Sequence, residues 1–458
     1  MEVGNSLYFS EHASLTIKEG FPILSSTLSP VYHTLQLGEA IALTFLAAYG
    51  NEQQTSEACA DNIPDGRSWL NHVIEQYWSY LGGRQARNLS FDWLDGVNFN
   101  QLESANSLLF SRKRASPLAV VWLVTLACNR QCPYCFYEIT PWSSNNKKNP
   151  NDASFSYHRV VSMLQEMQRV GASELYLTGG EPLLRHDLVE LISVATSHRI
   201  KTFLSTKYPI DNQLATDLYN AGVGFITYSL DAGNEKSADG LAGSKGFFQD
   251  SIQSLNALVE TNLNFEVNTV VTKPNEDILE ELIAFLVSLS VPRVSLSTYI
   301  QPTFHQGQDN LTPALNADNL ISLVGDLSEK WKGKIEIRVG DSASNTSGQG
   351  CTDKNVCEVG YSELHVLPNG MASRCRYLPN DSNLNLGSLE QKTVMEIWHG
   401  NSLQQFNEPD RTLYDPSSCY SCNEFEQCNQ RGRCYVSALN RYNTHFAPDH
   451  FCLHELIK

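Results

Sequence analysis

Positive charge is scarce in this sequence. The 458 residues hold 33 Lys and Arg against 50 Asp and Glu, a net charge of -17. Binding to a polyanion draws on Lys and Arg to neutralise phosphates, so this balance argues against nucleic acid as the main partner. Long apolar runs are missing too. No stretch reaches the length of a bilayer span, and Met1–Ser10 has no basic segment leading into an apolar core. The expectation is a soluble, cytoplasmic protein with no membrane partner. Cysteine is absent from the long interval between Cys135 and Cys351. Of the twelve in the chain, Cys59 stands alone, three crowd into residues 128–135, and eight lie between Cys351 and Cys452. Without an export signal, such clustering points to metal or redox chemistry and away from a disulfide framework.

The first crowd is Cys128-Asn129-Arg130-Gln131-Cys132-Pro133-Tyr134-Cys135, spaced C-x3-C-x2-C. It follows Val120–Leu126, an apolar and largely β-branched run that predicts a buried strand. Three close thiolates can ligate three irons of a four-iron cluster and leave the fourth iron open. An open coordination position is what separates a reactive metal site from a sealed one. A zinc knuckle is the alternative, but no fourth Cys or His follows Cys135 within twenty residues.

Residues 118 to about 330 alternate between strand and helix patterns. The strands expected are Val120–Leu126, Glu174–Thr178, Lys201–Ser205, Phe225–Ser229, Asn264–Val271 and Val294–Ser297. Helical periodicity covers Tyr157–Arg169, Asp187–Ser197, Asp211–Ala221, Phe247–Thr261 and Glu276–Ser290. Such alternation predicts parallel strands with crossover helices. Six units are too few for a closed eightfold barrel, so the fold class is α/β, a partial (β/α)6 barrel with its active site at the strand C-termini. After the second strand comes Thr178-Gly179-Gly180-Glu181-Pro182. Two glycines let backbone approach a ligand closely, and Glu181 adds a carboxylate suited to an ammonium group.

Together these residues resemble the radical S-adenosylmethionine (SAM) superfamily. Cys128, Cys132 and Cys135 match its cluster motif, and Gly179–Pro182 its SAM-amine motif. The resemblance implies that SAM chelates the open iron and is split by one electron to a 5′-deoxyadenosyl radical. That radical takes hydrogen from a substrate. Cofactor contacts carried over by the resemblance are Tyr134 near the adenine, Gly179, Gly180 and Glu181. Ser205 and Lys207 close the third strand, Ser229 and Asp231 follow the fourth, and Asn268 lies on the fifth.

Towards the C-terminus, Asn369-Gly370 between short alternating runs predicts a hairpin over Leu364–Arg374. Cys351, Cys357 and Cys375 surround it, and Cys419-x2-Cys422-x5-Cys428-x5-Cys434-x17-Cys452 follows. This pattern resembles the SPASM domain, although five residues stand where three usually separate the third and fourth Cys of the second group. The resemblance implies two sealed auxiliary clusters, one on Cys351, Cys357, Cys375 and Cys434, the other on Cys419, Cys422, Cys428 and Cys452. Three [4Fe-4S] clusters, one binding SAM, would then use eleven Cys and leave Cys59 as a packing residue. A pair of zinc sites is the alternative.

Residues 1–115 show strand patterns at Ser14–Lys18 and Val31–Leu37. Helical ones follow at Leu37–Tyr49, Thr55–Ala60 and Ser68–Leu81. This order resembles the winged-helix peptide-recognition element of maturases that act on ribosomally made peptides; an unrelated docking cap is the alternative. Seven Lys and Arg against twelve Asp and Glu in this part speak against a DNA reader. The domains expected are 1–115 for precursor recognition by strand addition, 116–335 for the barrel and 336–458 for the auxiliary clusters.

SPASM proteins include sulfatase-maturating enzymes, in which an Asp base follows the Cys that closes the hairpin. Here Arg376 follows Cys375, and a guanidinium cannot take that proton. The expectation is therefore an oxidoreductase acting on a precursor peptide and forming a side-chain crosslink of carbon–carbon cyclophane or ether type. The Val121–Leu126 run resembles that of cyclophane- and darobactin-forming maturases. Thioether formation and epimerisation stay open, as does a non-enzymatic electron carrier. A flavodoxin- or ferredoxin-type protein would supply electrons. Candidates to face the substrate are Tyr299, Gln301, Arg376 and Tyr377, with His305 read as a surface residue.

Overall fold

The computed structural model describes residues 8–9, 13–18, 21–26, 29–35, 37–49, 52–62, 66–77, 81–82, 116–137, 139–141, 155–299, 311–312, 317–340, 357–377, 385–449 and 452. Gln301, His305 and Cys351 lie outside the described residues.

The amino-terminal part begins with an antiparallel sheet of β1 (Ala13–Lys18), β2 (Phe21–Ser26) and β3 (Ser29–Thr34). Strand β2 was not expected; Pro22 obscures its pattern, since proline cannot donate to a ladder. Three helices follow, α1 (Leu37–Tyr49), α2 (Glu52–Asn62) and α3 (Gly66–Gln76). Gly38 sits where a Cβ would fall 2.3 Å from the Trp69 indole, so α1 and α3 can close only on a glycine. Beside them Glu39, 4% exposed, accepts hydrogen bonds from Tyr77 and from the His72 ring. Cys59 is fully buried, and burial pushes its thiol up to about 12. It behaves as a small apolar side chain.

The expected alternation forms one face-covered parallel sheet: β4 (Ala119–Thr125), β5 (Glu174–Gly179), β6 (Lys201–Thr206), β7 (Phe225–Ser229), β8 (Phe265–Val271) and β9 (Arg293–Thr298) lie side by side in chain order. The crossover helices are α4 (Tyr157–Val170), α5 (Leu188–Ser197), α6 (Asn212–Ala221), α7 (Glu235–Ala242), α8 (Phe247–Glu260) and α9 (Leu279–Ser288). Helix α7 was not expected, because it is only eight residues long and stops at Gly243 in a left-handed conformation. The sheet also exceeds the six expected strands. After α10 (Ala317–Lys330), β10 (Glu336–Val339) pairs in parallel with β9, so the sheet crosses residue 335.

The other edge of the sheet is extended by the C-terminal part. Strand β11 (Glu363–Val366) pairs in parallel with β4, with Leu364 opposite Val120 and Val366 opposite Trp122. Strand β12 (Met371–Ser373) then returns as the predicted hairpin, with Gly370 at φ +77°, and β13 (Asn385–Ser388) completes ten strands. The barrel is partial, open between its two edges. Its apolar core runs without a break from β4 into the residues around β11–β13 and helix α11 (Val394–Trp398). Glu166 of α4 secures the junction by accepting the backbone N–H groups of Val394 and Met395, at 2.8 and 3.0 Å.

Candidate active site

The loop leaving β4 carries Cys128, Cys132 and Cys135, and it is held from three sides. On one side lies the loop after β5. The Gly180 N–H donates to the Thr125 carbonyl (2.6 Å) and the Glu181 N–H to that of Ala127 (2.8 Å). A Cβ at Gly179 would come within 2.5 Å of the Thr125 oxygen, and one at Gly180 within 2.3 Å of the Ala127 oxygen. The two glycines thus allow a close approach to the cysteine-bearing backbone, and both also line the cavity. On the second side lies α7: the Gln131 N–H donates to the Ala242 carbonyl (3.0 Å), and a Cβ on Gly243 would meet the Gln131 oxygen. The third tie is Arg130, 5% exposed, which bonds Asp250 of α8 (2.8 Å), Ser244 (2.9 Å) and the Lys207 carbonyl (3.4 Å).

So held, the loop frames a cavity of about 250 Å³ at the C-terminal ends of the strands. All three thiols line it, as do Tyr134, Gly179, Gly180, Glu181, Ser205, Lys207, Ser229, Asn268, Tyr299, Arg376 and Tyr377. Its floor is polar, because inward positions of β5, β7, β8 and β9 carry Thr178, Thr227, Glu266, Ser295 and Ser297. Asn268 accepts from both Ser295 (3.0 Å) and Ser297 (2.6 Å), which fixes its amide across two strands. These floor residues, and Arg130, escaped the sequence reading; alternation alone does not mark which polar strand residues point inward.

Asp231 is placed differently from the rest. It is 2% exposed and does not line the cavity. Its carboxylate accepts from the Tyr134 hydroxyl, the Lys207 ammonium (2.6 Å) and the Val270 N–H (2.9 Å). Asp231 therefore positions two cavity residues from behind. Glu181, 1% exposed, accepts from Thr206 (2.7 Å), the Lys207 N–H (2.9 Å) and the Leu183 N–H (3.1 Å). Three donors on a carboxylate that offers about four acceptor sites leave it room for one more. Burial raises its pKa nonetheless.

Arg376 enters from the C-terminal part, its guanidinium over the rings of Tyr377 and Phe136, at 5.2 and 5.9 Å. Its backbone N–H donates to His365 Nδ1 (3.0 Å), which leaves the proton on Nε2, facing Glu363 at 3.4 Å. Burial lowers the His365 pKa, so the ring is neutral. The Tyr299 hydroxyl is buried without a hydrogen-bond partner among the described residues.

The thiols respond to one another. Burial pushes Cys128 to about 12, helped by the Glu181 charge and by Cys132 and Cys135; Cys135 reaches about 11. In the C-terminal part, burial raises Cys434 to about 12, and the thiolates of Cys357 and Cys375 add to the rise. Cys419 is raised by burial, against the pull of Arg433, with further contributions from Cys452 and Cys422. Cys434 thus lies near Cys357 and Cys375, and Cys419 near Cys422 and Cys452. Among the described residues, no three His, Cys, Asp or Glu side chains converge closely enough to hold one metal ion as they stand. Beside each C-terminal set, however, is a buried arginine. Arg433 donates to Cys419 Sγ at 3.7 Å, and two nitrogens of Arg374 have no partner among the described residues. Thiols with buried donors beside them suit iron–sulfur clusters, whose sulfurs accept hydrogen bonds.

Comparison with known proteins agrees with this geometry. The Radical SAM superfamily model matches residues 122–286, and the SPASM model, an iron–sulfur cluster-binding domain, matches residues 357–423. This chain is a radical SAM enzyme with a SPASM domain. It is 28% identical over 342 residues to mycofactocin maturase MftC of Mycolicibacterium smegmatis, covering 72% of this chain and 80% of that protein. It is 25% identical over 328 residues to PqqA peptide cyclase of Rhodopseudomonas palustris, covering 70% of this chain and 84% of that one. Among solved structures, SuiB of Streptococcus suis bound to S-adenosylmethionine has the same fold, with a TM-score of 0.61 at 19% identity over 97% of this chain and all of that one. SuiB bound to its precursor peptide SuiA also gives 0.61, at 17% identity over 98% of this chain and all of that one. Among the described residues of this radical SAM enzyme, no helix is long and apolar enough to cross a membrane.

Proposed function

We propose that this radical SAM enzyme modifies a ribosomally made precursor peptide and joins two of its side chains by a net two-electron oxidation. The observation that carries the reading is the polar-floored cavity onto which Cys128, Cys132, Cys135 and Glu181 all open. The names of the relatives support a peptide substrate, since they include a maturase and a peptide cyclase. Three [4Fe-4S] clusters are part of the reading: one on Cys128, Cys132 and Cys135 with SAM, one on Cys351, Cys357, Cys375 and Cys434, and one on Cys419, Cys422, Cys428 and Cys452. When bound, SAM and the clusters supply one-electron chemistry that removes a hydrogen atom from the peptide and takes up the second electron once the new bond has formed.

The chain's own residues do the rest. Glu181 offers its last acceptor site to the SAM ammonium. Lys207 and Tyr134, oriented by Asp231, hold the wall beside it. Arg376 and Tyr299 face the peptide. Arg376 is charged throughout and cannot serve as the base, which separates this site from sulfatase maturation. Residues 1–115 dock the precursor by adding its strand to a sheet edge. A flavodoxin- or ferredoxin-type protein supplies the first electron.

The test is co-expression with candidate precursor peptides, followed by mass spectrometry. Loss of two hydrogens per crosslink is expected. Unchanged peptide mass with deuterium uptake from solvent would replace crosslinking by epimerisation. Reduced protein that releases no 5′-deoxyadenosine from SAM would make the chain an electron carrier.

A further inference from the structure

We infer that Arg374 and Arg433 raise the reduction potentials of the two C-terminal clusters, one arginine to each, and so make these clusters electron acceptors. The inference rests on the reading above that both thiol sets hold iron and sulfide.

Both guanidinium groups are buried, Arg374 at 1% and Arg433 at 7% exposure. Arg374 Nη1 donates to the Val359 carbonyl (2.8 Å), and the guanidinium lies over the Tyr435 ring at 5.2 Å. Its Nε and Nη2 have no partner among the described residues. Arg433 is held by Asn429 and the Phe425 carbonyl (3.1 Å), between the rings of Tyr414 (4.8 Å) and Phe425 (4.4 Å). Its Nη1 donates to Cys419 Sγ at 3.7 Å. Arg433 precedes Cys434 in sequence, yet its charge serves the set containing Cys419.

Among the described residues, neither arginine has a carboxylate within ion-pair distance, whereas Arg130 beside the cavity thiols is paired with Asp250. A buried cation needs a compensating anion, and here the anions are thiolates and cluster sulfides. Reduction adds one negative charge to a cluster. An unneutralised buried cation beside it stabilises that added charge and raises the potential. At the cavity, Asp250 pairs with Arg130 and Asp231 with Lys207, so carboxylates offset the two cations nearest the three thiols. The chain thereby sorts its clusters by how each neighbouring arginine is paired.

The experiment is an anaerobic redox titration of the full, reconstituted protein, followed by electron paramagnetic resonance, with iron and sulfide analysis. Wild type is compared with Arg374→Gln, Arg433→Gln and the charge-keeping Arg374→Lys and Arg433→Lys. Each Gln variant should lower one midpoint by a tenfold change in the reduction equilibrium, about 59 mV for one electron. The matching Lys variant should recover most of that shift. The rate of 5′-deoxyadenosine release under excess dithionite should not change. Wild-type midpoints in loaded Gln variants would overturn the inference. If Gln fails to load, Arg374→Met and Arg433→Met are titrated; failure of these as well would assign the arginines to cluster assembly and also overturn it. Wild-type protein without iron and sulfide would instead refute the cluster reading.

Discussion

The cavity and the C-terminal part use the same ligand atom in opposite surroundings. Around the cavity, three thiols sit on a loop propped against its neighbours, and every one of them faces open space. In the C-terminal part, Cys375, Cys419 and Cys434 are packed against aromatic rings, and none of the described thiols there lines the cavity. The difference teaches that the surroundings of a thiol set which space it faces. The glycines and Arg130 keep the first loop in place without covering it. Tyr435 packs against Cys375 and Cys434, and Tyr414 and Phe425 against Cys419.

The largest effect that can break this comparison comes from the cavity thiols. Cys128→Ala, Cys132→Ala and Cys135→Ala together should abolish 5′-deoxyadenosine release while leaving the iron of the C-terminal part in place. Loss of all iron in that variant would mean that the two regions do not load independently. Next is Gly180→Ala, whose new methyl must push the Ala127 carbonyl away. Overpacking of this kind costs about 1–3 kcal/mol, and denaturant unfolding of the loaded protein should show it together with slower SAM cleavage.

Glu166→Gln probes the junction between the regions. One of two backbone N–H groups loses its acceptor, for about 1–3 kcal/mol. The sign of the pH effect follows from burial, which raises the Glu166 pKa above its unfolded value. The folded state then holds that proton more tightly, so this group's contribution to stability falls as pH rises from the ordinary carboxylate range through the folded value. Melting curves across that window should lose this slope in Glu166→Gln. The smallest effect belongs to Cys59→Ala. Iron content and SAM cleavage should match wild type, since Cys59 is fully buried on α2 and burial accounts for the rise of its thiol.

Much of this was legible from residues alone, where the signal is local. Spacing brought Cys128, Cys132 and Cys135 onto one loop, β-branched runs marked six barrel strands, and Asn369-Gly370 announced the hairpin. What escaped is non-local. Nothing near Arg130 says that Asp250 will meet it 120 residues later. Asp231 looks like a ligand to the cofactor until its partners Tyr134 and Lys207 are seen in front of it. Short or interrupted patterns failed as well, as α7 and β2 show.

One pairing has a consequence for how the protein is made. Strand β4 is wholly buried in the finished sheet, and the strand that covers its outer edge, β11, leaves the ribosome long after it. Throughout that interval a seven-residue apolar strand offers bare amides and carbonyls to any passing chain. Translation that stalls between the barrel and the hairpin should therefore yield aggregates, and a chaperone that shields this edge should raise the yield of soluble protein.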